Sequence, residues 1–352
     1  MNTFVTILLT ILVFGFLIFI HEFGHFLFAR IFHVTVKEFS IGMGPKLLWY
    51  DSKKSGTRYA LAMFPFGGYV AMAGEDEESS DPNAFSAKPA WQRFIITAAG
   101  AAVNIVVGLL IMLILTATVK LLPTTTVHSF LSREDTGYEI STQQSDLRAK
   151  DTILAIDGKR VRYADDLSYE IMRRGYAPVD VTVLRDGEQI VLPNVVFPTA
   201  TEQGQVFGMT DFVVYGTEPT FGRVISYTFF KTGMLIRMCW ESIYDLITGR
   251  YTLAAVSGPV GISSAIGSAA GSSSPLPSVL YLLVMISINL GVMNLLPIPA
   301  LDGGRLLVLL IEMISRRRLP AKLEGTINAV GLLLLLGLSF VILVKDVWML
   351  FV

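Results

Sequence analysis

The sequence predicts a polytopic α-helical membrane protein of about four transmembrane helices, interrupted by a β-rich segment and one small α/β domain. Three observations lead there. Long uncharged apolar runs recur along the 352 residues. The chain is 52% hydrophobic and only 16% charged, where a soluble domain carries about a quarter charged residues. Two stretches between the runs show strand and turn signals in place of helical spacing. The formal net charge of −1 argues against nucleic-acid binding through a basic field. Cys239 is the only cysteine, so an intrachain disulfide and a cysteine-rich metal module are both excluded. Any metal must be held by His, Asp or Glu.

Residues 1–32 read as the first span. Phe4–Ile20 carries no charge and no Lys or Arg precedes Arg30. The basic start of a signal peptide is therefore missing, and the run outlasts a signal's apolar core. Residues 92–120 supply the second span, uncharged from Phe94 to Val119. Residues 276–352 hold the third, within Leu276–Leu301, and the fourth, Ile327–Val344. Each run is near the ~20 residues a helix needs to cross ~30 Å of hydrocarbon. Arg305, Arg316, Arg317, Arg318 and Lys322 lie between the last two spans, and Arg30 and Arg93 flank the first loop. Basic residues beside short connections mark the cytoplasmic side. Both termini are then expected outside the cytoplasm, together with the long segment between spans two and three.

Residues 33–91 form the β-rich segment on the cytoplasmic side. Val36–Tyr50 and Thr57–Met72 are rich in β-formers and separated by turn residues at Asp51–Gly56. Phe64–Gly74 is too apolar for an exposed hairpin. It predicts either a small sheet packed on itself or a β-hairpin dipping into the membrane where protein shields its backbone. The acidic run Glu75–Glu78 reads as a solvated face.

Residues 121–215 read as a small α/β domain. Ile153–Ile156 is a short strand closed by Asp157-Gly158, and Tyr163–Arg174 has helical spacing. Val179, Val181 and Val183 alternate with polar neighbours before Arg185–Glu188 turns into Ile190 and Leu192. This order resembles a PDZ domain, whose sheet edge accepts an extended peptide. Relatives of that kind begin on a Gly-rich stretch; here the chain reads Ser145–Asp151, which weakens the expected peptide groove more than the fold. Residues 216–275 are read as an amphipathic helix, Phe221–Thr248, followed by a stretch rich in Gly, Ser and Ala that is a membrane-apposed loop or a re-entrant piece, not a fifth span.

The chemistry gathers at the end of the first span, in His21-Glu22-Phe23-Gly24-His25. Residues four apart share a helix face, so both imidazoles reach one metal, and Glu22 stands beside that face as a general base. Two His and a Glu in an uncharged span are costly, by about 2.5 kcal/mol or more for an acid near the bilayer centre. A watered helix end would explain their tolerance without explaining the spacing. A catalytic zinc takes three protein ligands, and the other two histidines, His33 and His128, read as ordinary surface residues. Asp302 ends the uncharged stretch from Tyr251 to Leu301 in Asn294-Leu-Leu-Pro-Ile-Pro-Ala-Leu-Asp-Gly303, where prolines and glycines break the third span. It is the third-ligand candidate; the alternative makes it a helix cap.

Those paired motifs resemble the site-2 protease family of intramembrane zinc metalloproteases, with the bacterial regulator-of-sigma-E protease type as the nearest likeness. Gly42-Met-Gly-Pro45, Phe66-Gly-Gly-Tyr69, Lys88–Arg93, Ala99–Asn104 and Gly258-Pro-Val-Gly261 match in order, so the likeness covers nearly the whole chain. Gly100-Ala101 departs from a common Gly-Pro, and the single PDZ-like domain departs from relatives with two. The resemblance implies a zinc metalloendopeptidase of the bacterial inner membrane, acting near the cytoplasmic side. His21, His25 and Asp302 would bind Zn2+, with Glu22 as base. Asn294 would hold the substrate backbone or steady a negative oxygen, and Phe66, Gly67, Gly68 and Tyr69 would pair with an unwound substrate. Implied substrates are single-span membrane proteins of the anti-sigma-factor or remnant-signal-peptide kind, cut in regulated intramembrane proteolysis, with the PDZ-like domain as size filter or peptide binder. Two rival classes are a membrane transporter, for instance of a divalent metal, and a silent peptide-binding scaffold. Against the first stands the lack of an internal repeat of spans, and against the second the complete set of ligands and base.

Overall fold

In the computed structural model the uncharged runs fold as helices, because a backbone in hydrocarbon must satisfy its own hydrogen bonds. The structure describes residues 3–75, 79–132, 142–202, 205–251, 256–318 and 320–348. Four helices among them are long and apolar enough to cross a membrane. These are α1 (Thr3–Ile31), α2 (Ala90–Thr118), α6 (Pro275–Asn294) and the Leu323–Trp348 part of α8 (Ala321–Trp348). The chain divides into two compact units, one of residues 1–111 with 256–352 and one of residues 112–255.

In the first unit, α1 is followed by two long antiparallel strands, β1 (Val36–Asp51) and β2 (Arg58–Met72). Their register shows a hairpin folded on itself. Val36–Ile41 pairs with Gly68–Met72, Leu48–Asp51 pairs with Arg58–Leu61, and Glu38–Ile41 pairs with Arg58–Leu61 as well. The bends fall at Gly42, Gly44 and Gly67, with φ of +85°, +88° and +90°, a region that favours glycine. The result leaves Gly68–Met72 as an edge. Ala29, Val34, Val36, Phe39, Val70, Met72, Phe85 and Ile96 are buried together, and this seam fixes the hairpin against α1 and α2. The distal end is different: Leu47, Leu48, Trp49, Tyr50, Met63 and Phe64 are all exposed. Such an apolar tip suits lipid better than water.

Helix α5 (Pro259–Ala270) occupies part of the stretch expected as loop. Gly, Ser and Ala are weak signals, yet small side chains let this helix lie close to α1. Ile266 is buried with Val13 and Leu17, and the Thr10 and Ser263 hydroxyls are 3.1 Å apart. At twelve residues it is about 18 Å long, too short to span. The third span ends at Asn294. After a bent connection the chain starts a separate helix, α7 (Asp302–Ser315).

The second unit holds a sheet of order β10-β3-β4-β6-β7, with β5 paired to β4 and a separate β8-β9 hairpin. Its strands are β3 (Leu122–Phe130), β4 (Thr152–Ile156), β5 (Lys159–Arg160), β6 (Val179–Arg185), β7 (Glu188–Val195), β8 (Thr199–Glu202), β9 (Gln205–Gly208) and β10 (Phe212–Thr217). Helix α3 (Ala164–Arg174) covers the sheet, and Val127, Ile153, Ile156, Leu167, Ile171, Val181 and Val183 form the core. Helix α4 (Phe221–Ile247) is bound to α3 by ion pairs: Lys231 with Asp165, Arg237 with Asp166 and Glu170, and Arg173 with Glu241 and Asp245. Tyr169 donates to Glu241 at 2.7 Å; burial, then this carboxylate, push its phenol well above the ordinary range. Ile171 is fully buried in the core. Ile171→Ala is expected to destabilise this unit by about 2–5 kcal/mol, visible as an earlier thermal transition with the zinc content of the protein unchanged.

Candidate active site

Helix α1 carries His21 and His25 one turn apart on one face, and Asp302 arrives from the first turn of α7. The cap of α7 is Leu301, so Asp302 does not serve as the cap. Its carboxylate turns to the imidazoles instead: Oδ2 lies 3.2 Å from His21 Nε2 and 3.4 Å from His25 Nε2. The two Nε2 atoms are 3.3 Å apart. The bent connection before α7 makes this approach possible. Ala300 has φ of +71°, and a Cβ on Gly303 or Gly304 would collide with the backbone of Leu296 or Ile298. Two ion pairs hold α7 in place, Arg93–Glu312 at 2.5 Å and Arg305–Glu75 at 2.6 Å.

The three converging atoms fit a zinc ion. With Zn–N and Zn–O bonds of ~2.0–2.1 Å, the edges of a tetrahedron are about 3.3 Å. All three distances lie at that value. Asp302 Oδ2 is buried and accepts no hydrogen bond, although both Nε2 atoms are beside it. Two ring nitrogens and a carboxylate oxygen at this spacing are a donor set of the kind a divalent cation takes. The second nitrogens of the rings are held too. His25 Nδ1 donates to the Ile96 carbonyl at 2.9 Å, which leaves Nε2 free to coordinate. His21 Nδ1 lies 3.4 Å from the side-chain amide of Asn104. Asn104 is fully buried, and its Oδ1 has no partner. Turned by 180°, the amide would accept from His21 Nδ1–H and satisfy both groups.

Close packing of α1 on α2 sets this depth. A Cβ on Gly24 would meet the Ala99 carbonyl at 2.5 Å, and one on Gly100 would fall on the His25 ring. Only glycines permit the crossing.

A cleft of about 480 Å3 opens over the site, lined by His21, Glu22, His25, Asp302 and the Tyr69–Met72 edge, with Lys37, Glu75 and Arg305 further out. Gly68 packs on Glu22, so that a Cβ there would stand 3.1 Å from Glu22 Cγ. Tyr69 lines the cleft and donates to Glu38 at 2.6 Å. That hydrogen bond, with burial, raises the pKa of the phenol above its ordinary value. Gly67 forms the bend before this edge, while the side chain of Phe66 lies outside the described residues. Asn294 ends α6 and is not among the cleft-lining residues. His33 sits in the turn after α1, and His128 lies on β3 of the other unit. One expectation is corrected. Glu75 is not on a solvated face; it is salt-bridged to Arg305, which also donates to the Glu75 carbonyl at 3.0 Å. Residues 76–78 of that acidic run lie outside the described residues. Sequence reading missed the place of Asn104 beside His21; the one available signal was a polar amide in an uncharged span.

The chain matches the sequence profile of peptidase family M50 over residues 9–338. It belongs to peptidase family M50, the site-2 protease family. Curated relatives of this M50 peptidase carry the printed name "Putative zinc metalloprotease". One from Clostridium perfringens is 35% identical over 97% of this chain and 98% of its own length. Others from Fusobacterium nucleatum, 34% identical over 98% and 99%, and Clostridium acetobutylicum, 33% identical over 98% of both, agree. This M50 peptidase is a multi-pass membrane zinc metalloprotease, and the transporter reading is not carried further. Asn104→Ala is expected to weaken zinc affinity about 10–100-fold, read by competition with a calibrated chelator on the purified protein.

Proposed function

We propose that this M50 peptidase hydrolyses peptide bonds within or beside the transmembrane segment of single-span membrane proteins, in regulated intramembrane proteolysis. One observation carries the reading. Two imidazoles of a bilayer helix and a carboxylate from far along the chain meet at tetrahedral spacing, beside a carboxylate that no metal ligation requires. His21, His25 and Asp302 are assigned as the ligands and Glu22 as the base.

Zinc, when bound there, supplies Lewis acidity and lowers the pKa of a water toward about 7. The chain's own groups do the rest. Glu22 takes a proton from the attacking water at its carboxylate and delivers it to the leaving nitrogen. The backbone N–H of Val70 is directed at that carboxylate, which keeps the base facing the cleft. His25 is held by the Ile96 carbonyl and His21 by Asn104, so neither ring has to reorient during turnover.

A helical substrate hides its peptide bonds, so it must unwind before attack. The Gly68–Met72 edge suits an added strand: it is extended, and its Tyr69–Met72 part borders the cleft. Asn294 is kept as the amide that would hold the substrate backbone or a developing oxyanion, and Phe66 as part of the same β segment. The substrates proposed are of the anti-sigma-factor or remnant-signal-peptide kind. The sheet of the second unit, with β7 and β10 at its edges, is read as the PDZ-like filter outside the cytoplasm. The basic cluster at Arg316–Arg318 and the residue Arg93 support a cytoplasmic-side active site with both termini opposite, in a bacterial inner membrane.

Glu22→Gln is expected to keep zinc at wild-type stoichiometry while cleavage of a single-span substrate in detergent falls about 10²–10⁴-fold. Metal analysis and a gel assay on the same preparation decide it; undiminished cleavage would refute the mechanism. Asp302→Ala should lose both zinc and activity. Removal of zinc from the wild type by a chelator should silence cleavage, with recovery on adding zinc back.

A further inference from the structure

Within the second unit, a cavity of about 450 Å3 lies between β5, the start of α3 and the middle of α4. Five cations line it: Lys159, Arg160, Arg162, Lys231 and Arg237. Two of them are neutralised in place, Lys231 by Asp165 at 2.9 Å and Arg237 by Asp166 at 2.6 Å. Among the described residues Lys159, Arg160 and Arg162 have no carboxylate partner. Arg162 instead stacks its guanidinium over the Phe230 ring at 4.0 Å. Beside these cations Phe229 and Phe230 are 60% and 41% exposed, an arrangement that water alone does not reward.

The exposed face of α4 extends the pattern. Phe229, Trp240, Tyr244 and Ile247 are exposed and spaced 11, 4 and 3 residues apart, so they share one face of the helix. The ion pairs to α3 use a different face. A stripe of Phe, Trp, Tyr and Ile bordered by cations is the composition of a helix seated at a membrane interface. The unit is also held near a bilayer by covalent connection, because β3 begins at Leu122 only four residues after the second candidate span ends at Thr118.

We propose that this cavity binds the phosphate of an anionic phospholipid, with Lys159, Arg160 and Arg162 around the headgroup and the exposed face of α4 lying against the acyl boundary. Charge complementarity selects the occupant. Three unneutralised cations disfavour a zwitterionic lipid relative to an anionic one. The adjoining aromatics favour a ligand with an apolar tail over a bare anion.

The test uses full-length protein in a mild non-ionic detergent, with bound short-chain lipid counted by native mass spectrometry. Dihexanoyl phosphatidylglycerol is expected to bind at least tenfold tighter than the matching phosphatidylcholine. That preference should disappear in the Lys159→Gln/Arg160→Gln/Arg162→Gln variant, whose zinc content stays at the wild-type value. A measurement on the wild type needs no variant: raising the salt to 1 M should reduce phosphatidylglycerol binding to the phosphatidylcholine level, because the screening length falls to about 3 Å. Equal affinity for both lipids would overturn the proposal. So would competition by inorganic phosphate at the lipid's own concentration, or tighter capture of an acidic peptide than of either lipid.

Discussion

The structure depends on one constraint: a carboxylate and two imidazoles must share a point among helices long and apolar enough to cross a membrane. An isolated acid at such depth costs several kcal/mol. A divalent cation resolves the conflict, because it turns three mutually unfavourable lone pairs into ligands. The equal spacing of Asp302 Oδ2 and the two Nε2 atoms is what that resolution looks like in the protein alone. Everything around the site serves to bring these atoms to one place and hold them there.

Holding them requires backbone at unusually short range. The α1–α2 crossing works because Gly24 and Gly100 offer no side chain, so the His25 ring occupies space a Cβ would take. Membrane helices associate through such small-residue contacts, lacking a hydrophobic drive toward one another. The same economy recurs at Gly303 and Gly304, where α7 starts against the connection that precedes it. The Arg93–Glu312 and Arg305–Glu75 pairs then fix α7 from both sides. Breaking one partner of such a pair leaves an uncompensated charge, so these residues support the site without ligating at it.

Local signals were legible in the sequence and long-range ones were not. The spans follow from uncharged length, and the face shared by His21 and His25 follows from helix geometry, so both can be read without a structure. Asp302 was reachable by elimination, since a single cysteine and two distant histidines left only a carboxylate. Asn104 escaped because its meaning lies in a contact with a residue 83 positions away, which no periodicity encodes. Glu75 escaped for the same reason: an acidic run looks solvated until its partner, 230 residues on, is brought beside it. Helix α5 was read as loop because Gly, Ser and Ala dilute helical spacing, while its actual stabilisation comes from packing on α1.

Under the proposed function, the folded hairpin links the metal-binding face to the handling of substrate. Because β1 and β2 bend double at glycines, the half of β2 nearest α1 becomes an edge rather than a central strand. An edge exposes unpaired N–H and C=O groups, which most proteins conceal. Here the Tyr69–Met72 part of the Gly68–Met72 edge borders the cleft, and Val70 directs an N–H at Glu22. A chain that adds to this edge is forced into extended geometry, with its peptide groups at a fixed height beside the base. Extension and positioning are thus one event. Under the proposed function, that coupling is the role of a β structure beside a site otherwise built from helices: helices can bring the ligands together, but they cannot offer backbone hydrogen bonds to a substrate.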